Sequence, residues 1–164
     1  MVSTPADQTA RAWAAAAAVC DPELPVLTIA DLGVLRDVSI AGDAVEVALT
    51  PTYSGCPAMA AIAIDVELAL ARAGFAIVRI RTVLSPAWTT DWLSTEGRQK
   101  LIAAGIAPPQ LGASRGALFG VDQVSCPRCG SVETELLSAF GSTACKALRR
   151  CIACREPFDH FKCH

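Results

Sequence analysis

The chain has 164 residues, of which 52% are hydrophobic and 18% charged, with a formal net charge of −2. That length holds one domain of ordinary size, or a domain of about 110 residues with a small appendage. Neither half is basic enough for a nucleic-acid footprint: 8 basic and 12 acidic residues precede Cys126, and 6 basic and 4 acidic follow from it. Much of the hydrophobic count is alanine, as in "ARAWAAAAAVC", so the share of large aliphatic side chains is smaller than it looks.

The N-terminal "MVSTPADQTA" has no basic leader, and the apolar run after Arg11 is too short to span a bilayer. The expectation is a cytoplasmic protein with no membrane partner. In a reducing compartment, paired cysteines read as metal ligands before disulfides. A homodimer is compatible with the sequence.

Residues 9–19 are strong helix formers, and "CDPELP" ends them, since Pro22 and Pro25 forbid a continuing helix. "LGVLRDVSI" and "AVEVALT" are β-branched and partly alternating around the turn residues "AGD", which predicts a hairpin. In "TPTYSGCPAMAAIAIDVELALARAG" the period changes to that of a helix. Met59, Ile62, Ile64, Val66, Leu68 and Leu70 spread round it broadly enough to predict burial on much of its circumference. "FAIVRIRTVL" alternates as a strand, "SPAWTTDW" is a loop, and "STEGRQKLIAAG" is a helix closed by Gly105. Residues 1–112 thus read as a small α+β domain. "APPQLGASRG" has linker composition, and a second unit is expected over 117–164.

Six of the eight cysteines fall in the last 39 residues. Cys126-x2-Cys129 and Cys151-x2-Cys154 form two knuckle-spaced pairs, so that four sulfurs converge on one tetrahedral ion, zinc above all. Gly130, after the second sulfur, supplies the positive φ that such a turn needs. A unit of about 40 residues cannot build an adequate apolar core alone, so the ion is structural and supplies folding free energy. A hairpin around the second pair, setting Arg150 against Arg155, places Cys145, His160 and Cys163 in one neighbourhood. These three read either as small buried side chains or as a second metal, cluster or reversible thiol site. Cys20 reads as structural.

Cys56 precedes Pro57 at the start of the second helix, where the helix dipole and unpaired amides favour a thiolate. It reads as a reactive thiol or as a packing residue. Asp21 and Glu23 solvate and cap a loop, Asp31 can hold a turn through its own backbone, and Gly33 supplies a turn conformation.

"CDPELPVLTIADLGVLRDVSI" and "VALTPTYSGCPAM" resemble the signature of the MIP18 (DUF59) family, whose members assist iron–sulfur protein assembly. That likeness covers about residues 13–95. The continuation "SPAWTTDWLSTEGRQKLIAAGIAPP", then "CPRCGS", "FGSTACKAL" and "CREPFDHFKC", resembles the PaaD (PaaJ) family, the D subunits of phenylacetyl-CoA epoxidase systems, along nearly the whole chain. The resemblance implies an MIP18-like α+β domain followed by a four-cysteine zinc ribbon. It also implies an accessory role in aerobic phenylacetate degradation, in which the protein helps install or maintain the metal centres of a multicomponent monooxygenase. The partners would be the [2Fe–2S] reductase and the di-iron oxygenase, or iron–sulfur assembly proteins, with iron or a cluster held in transit. On this reading Cys56 is the functional thiol, Asp21 and Glu23 are the family's acidic loop, and Asp31 and Gly33 are its turn.

Two other classes stand beside this one. A thiol oxidoreductase, or a structural or oxygenase component of the epoxidase, would use the same thiols, but no di-iron ligand set of the Glu-x-x-His kind and no Gly-rich nucleotide fingerprint is readable. With two histidines, both in the last five residues, independent acid/base catalysis is poorly supplied. A nucleic-acid-binding ribbon is permitted by "KALRR" and opposed by the near-neutral charge and the single tyrosine.

Overall fold

The structure is a computed structural model and describes residues 4–112 and 123–162. By internal contact the chain forms two compact units, dividing between Trp88 and Thr89.

The first unit opens with helix α1, Pro5–Ala17. It starts earlier than the run of helix formers because "TPAD" is a capping box: Thr4 Oγ1 accepts from the Asp7 N–H at 3.2 Å, and Asp7 Oδ2 accepts from the Thr4 N–H at 3.2 Å. Pro5 fits the first turn, where its missing N–H leaves no bond unmade. Strands β1, Leu35–Ala41, and β2, Ala44–Leu49, form the predicted hairpin. Helix α2, Ala58–Arg72, then crosses to β3, Ile77–Thr82, which lies parallel to β2, so the sheet order is β1-β2-β3.

Pairings Val38–Val47, Ile40–Val45, Val45–Val78 and Val47–Ile80 put one apolar face of the sheet on the helix side. The opposite face carries the ion pairs Arg79–Glu46 (3.7 Å) and Arg81–Asp37 (3.9 Å). Helix α2 buries a narrower stripe than its composition suggests. Ala58, Ile62, Val66 and Leu70, four residues apart, are buried, but Ile64 and Leu68 are 57% and 48% exposed. A single layer of sheet and one neighbouring helix can cover only one side of a helix.

The second unit contains a short 3-10 turn, Thr90–Trp92, helix α3, Thr95–Ala103, and strands β4, Ile106–Ala107, β5, Thr134–Ser138, β6, Lys146–Cys151, and β7, Pro157–Phe161, in sheet order β4-β7-β6-β5. Ser94 caps α3 through the Gly97 N–H at 2.8 Å. Residues 89–112, grouped from sequence with the first domain, therefore pack with the ribbon. The cause is the parallel pairing of β4 with β7, Ile106 to Asp159 and Ala107 to His160. Ala107 shares a core with Val124, Cys126, Cys151 and Phe158. Among the described residues no helix is long and apolar enough to cross a membrane.

Candidate metal centre and thiol site

Each cysteine pair of the second unit sits on the same local turn. After the first pair, Gly130 N–H donates to the Cys126 carbonyl (2.9 Å) and Cys126 N–H to the Ser131 carbonyl (2.8 Å). After the second, Arg155 N–H donates to the Cys151 carbonyl (3.1 Å) and Cys151 N–H to the Glu156 carbonyl (2.9 Å). Gly130 has φ 76° and Arg155 φ 65°, so both turns close through a left-handed residue. Gly130 is readable from sequence; Arg155 carries no such signal.

These turns bring four sulfurs together. The ligand atoms of Cys126, Cys129, Cys151 and Cys154 all lie within 4.8 Å of one another, with Cys126 Sγ to Cys154 Sγ at 3.8 Å and Cys129 Sγ to Cys151 Sγ at 3.5 Å. Four thiolates about 2.3 Å from a tetrahedral zinc would be separated by about 3.8 Å, whereas a disulfide requires about 2.0 Å. The donor set fits a zinc ion, and its four sulfurs leave no open position for substrate chemistry. Cys126 and Cys151 are buried, Cys154 is half-buried and Cys129 is exposed. The Cys154 N–H, 3.5 Å from Cys151 Sγ, holds that thiol down to about 7. Cys129 receives the Ser131 amide, which lowers it, but the sulfurs of Cys151, Cys154 and Cys126, together with desolvation, carry it up to about 12. Four sulfurs in such proximity cannot all ionise without a cation among them. Arg128, in the first turn, forms an exposed ion pair with Glu156, after the second.

The hairpin that follows differs in register from the sequence expectation. Arg150 pairs with Pro157, not Arg155, and His160 pairs with Ala147. The bond from Cys151 N–H to the Glu156 carbonyl absorbs the intervening residues into the knuckle turn, so pairing begins two residues later. Cys145 and His160 are both buried, and Cys145 Sγ lies 3.0 Å from Thr143 Oγ1. Cys163 and His164 lie outside the described residues.

In the first unit, the loop from Pro51 to Cys56 leads into α2. Gly55 has φ 79°, Cys56 N–H donates to the Tyr53 carbonyl (3.2 Å), and Met59 N–H reaches back to the Cys56 carbonyl (3.3 Å). Pro57 caps the helix without a side-chain hydrogen bond. Cys56 is a free, half-buried thiol one residue before that cap. Among the described residues no hydrogen bond to its sulfur is made. Thr50, which follows β2 just ahead of this loop, is 1% exposed, and its Oγ1 has no partner among the described residues.

The acidic residues hold turns. Asp21 is 7% exposed and its Oδ1 accepts from the N–H groups of Glu23 and Leu24, both at 2.8 Å. Asp31 and Thr28 form a reciprocal box: Asp31 Oδ2 accepts from the Thr28 N–H and Thr28 Oγ1 from the Asp31 N–H, both at 3.0 Å. Gly33, φ 71°, completes that turn, and Trp88 Nε1–H donates to the Leu32 carbonyl at 2.8 Å. Cys20 is exposed, and its sulfur lies 3.9 Å from the Ala18 carbonyl.

Comparison with known proteins matches two stretches of the chain to known families. Residues 9–78 match the iron-sulfur cluster assembly protein family, and residues 111–162 match the PaaD zinc beta ribbon domain. The chain is 49% identical over 151 residues to the D subunit of a 1,2-phenylacetyl-CoA epoxidase from Escherichia coli (strain K12), a match covering 92% of this chain and 90% of that one. Among solved structures, a DUF59 domain of unknown function from Bacillus anthracis is 26% identical with a TM-score of 0.55, covering 59% of this chain and 93% of that one.

Proposed function

Because the chain belongs to the PaaD family, the D subunits of phenylacetyl-CoA epoxidase systems, we propose that it is an accessory protein of aerobic phenylacetate degradation that assists assembly or maintenance of the iron–sulfur or di-iron centres of the monooxygenase. In this reading the two sets of thiols have different work. Cys126, Cys129, Cys151 and Cys154 hold a resident zinc that folds the ribbon. Cys56 is the working thiol, a transient ligand for iron or a cluster passed to the oxygenase or to the [2Fe–2S] reductase.

The observation that carries this reading is the state of Cys56. Cys56 is half-buried, its sulfur makes no hydrogen bond among the described residues, and it stands one residue before the cap of α2. A ligand that must accept and release cargo needs such access, which a closed four-sulfur site lacks.

The test compares epoxidase components purified from cells with and without this protein. Under-metallated, poorly active oxygenase or reductase from the deletion strain is expected. Fully loaded and active components would exclude maturation and leave a structural role in the epoxidase as the better reading. Metal and sulfide analysis of the anaerobically purified protein, beside its Cys56→Ser form, then tests the thiol itself.

A further inference from the structure

We propose that the open edge of β3, with the groove between it and α2, binds an extended segment of a partner protein in which apolar and acidic side chains alternate. Among the described residues β3 pairs only with β2, so its other edge presents free backbone donors and acceptors. Such an edge can accept a further strand.

Beside that edge lies a groove of about 350 Å³, lined by Ile64, Glu67, Leu68, Ala71, Phe75 and Val78 among others. Ile64 and Leu68 are the exposed pair on α2, and Val78 belongs to the apolar face of β3. An added strand would set alternate residues over this groove and the others over the opposite sheet face. On that face β3 carries Arg79 and Arg81, with side chains 64% and 57% exposed. Their acids, Glu46 and Asp37, lie inward on β2 and β1 at 3.7 and 3.9 Å, leaving the outermost position of the face positive.

Charge selects the occupant. A second copy pairing through its own β3 would bring the arginines of both chains across one seam, and like charges facing across strands are destabilising. An acidic strand instead meets complementary charge, which sets specificity and association rate. The inference is independent of the role proposed for Cys56, since its test reads peptide binding and not metal transfer.

The experiment uses the full chain and two labelled short peptides, one alternating Val with Glu and one alternating Val with Lys, followed by fluorescence anisotropy. The Glu peptide should bind at least about tenfold more tightly than the Lys peptide. Arg79→Glu combined with Arg81→Glu should reverse that preference, and Leu68→Asp should weaken binding about tenfold. All three positions are exposed, and circular dichroism checks their folding. Amides of residues 77–82 should gain protection from hydrogen exchange with the Glu peptide bound. Absent binding, equal affinity for both peptides, indifference to the charge reversal, or a dimer that itself protects β3 would overturn the proposal.

Discussion

Gly130 and Arg155 occupy the same position in two copies of one turn, each following the second cysteine of its pair with φ of 76° and 65°. One of the two is a residue that the conformation suits, and the other is not. A left-handed backbone costs a non-glycine residue roughly 1–2 kcal/mol.

Arg155→Gly should therefore raise the stability of the zinc-bound ribbon by about 1 kcal/mol, and Gly130→Ala should lower it by a similar amount. A Cβ at Gly130 would meet nothing within 4 Å, so the loss is conformational and not steric. Thermal unfolding of the zinc-loaded chain, followed by zinc release, measures both. An Arg155→Gly chain that releases zinc at lower temperature would contradict the turn equivalence.

Removing the metal should unfold the ribbon while leaving the first unit intact. Cys129→Ser takes away an exposed ligand, and the remaining apolar cluster of Ala107, Val124, Cys126, Cys151 and Phe158 is too small to hold the strands. Loss of exchange protection across β5, β6 and β7, with β1, β2 and β3 unchanged, is the expected pattern. A metal-free chain that keeps those ribbon amides protected would refute it.

Zinc affinity should rise with pH through the neutral range. Ligation needs thiolates, and in the metal-free cluster Cys129 is pushed up to about 12, so zinc must displace a proton there. Cys151 is already lowered to about 7, and its thiolate is lost as pH falls through that value. Acid therefore favours release and base favours binding. Competition with a chromophoric chelator across a pH series would show it, and a pH-independent affinity would count against thiolate ligation.

Cys56→Ser should fold as the parent does, because no hydrogen bond of its sulfur is lost among the described residues, yet fail to support growth on phenylacetate. Unimpaired growth would return Cys56 to a packing role.

Asp21→Asn and Asp31→Asn should each hold stability to within about 1 kcal/mol, since an amide oxygen can accept the same backbone N–H bonds. The alanine forms should lose about 1–3 kcal/mol by leaving buried amides unpaired. Urea unfolding of the four variants distinguishes a turn-holding oxygen from a required charge; an asparagine form as unstable as the alanine form would point to the charge.

The elements with strong local signals were legible in the sequence: the β1–β2 hairpin around Gly42–Asp43, helix α2, and the four knuckle cysteines. What escaped has no local signature. Strand β4 is two residues long, too short for any alternation, and becomes a strand only because β7 is there to pair with it. Ile64 and Leu68 carry apolar composition that predicts burial, but exposure depends on what covers the helix, which no pattern within α2 encodes. The register of β6 and β7 depends on how many residues the knuckle turn consumes, and Arg155 hides that turn because a glycine was the expected marker.

The pairing of β4 with β7 also bears on the order in which a ribosome can let this protein fold. Everything needed for the first sheet has been made by Thr82, whereas β4, complete at Ala107, waits about fifty residues for Pro157–Phe161 to follow it. Nascent domains generally fold from the N-terminus as they emerge. During that interval α3 and β4 lack their sheet, and the first two ribbon thiols emerge before the second two. Zinc supply at the moment of synthesis would then govern the yield of the second unit more than that of the first.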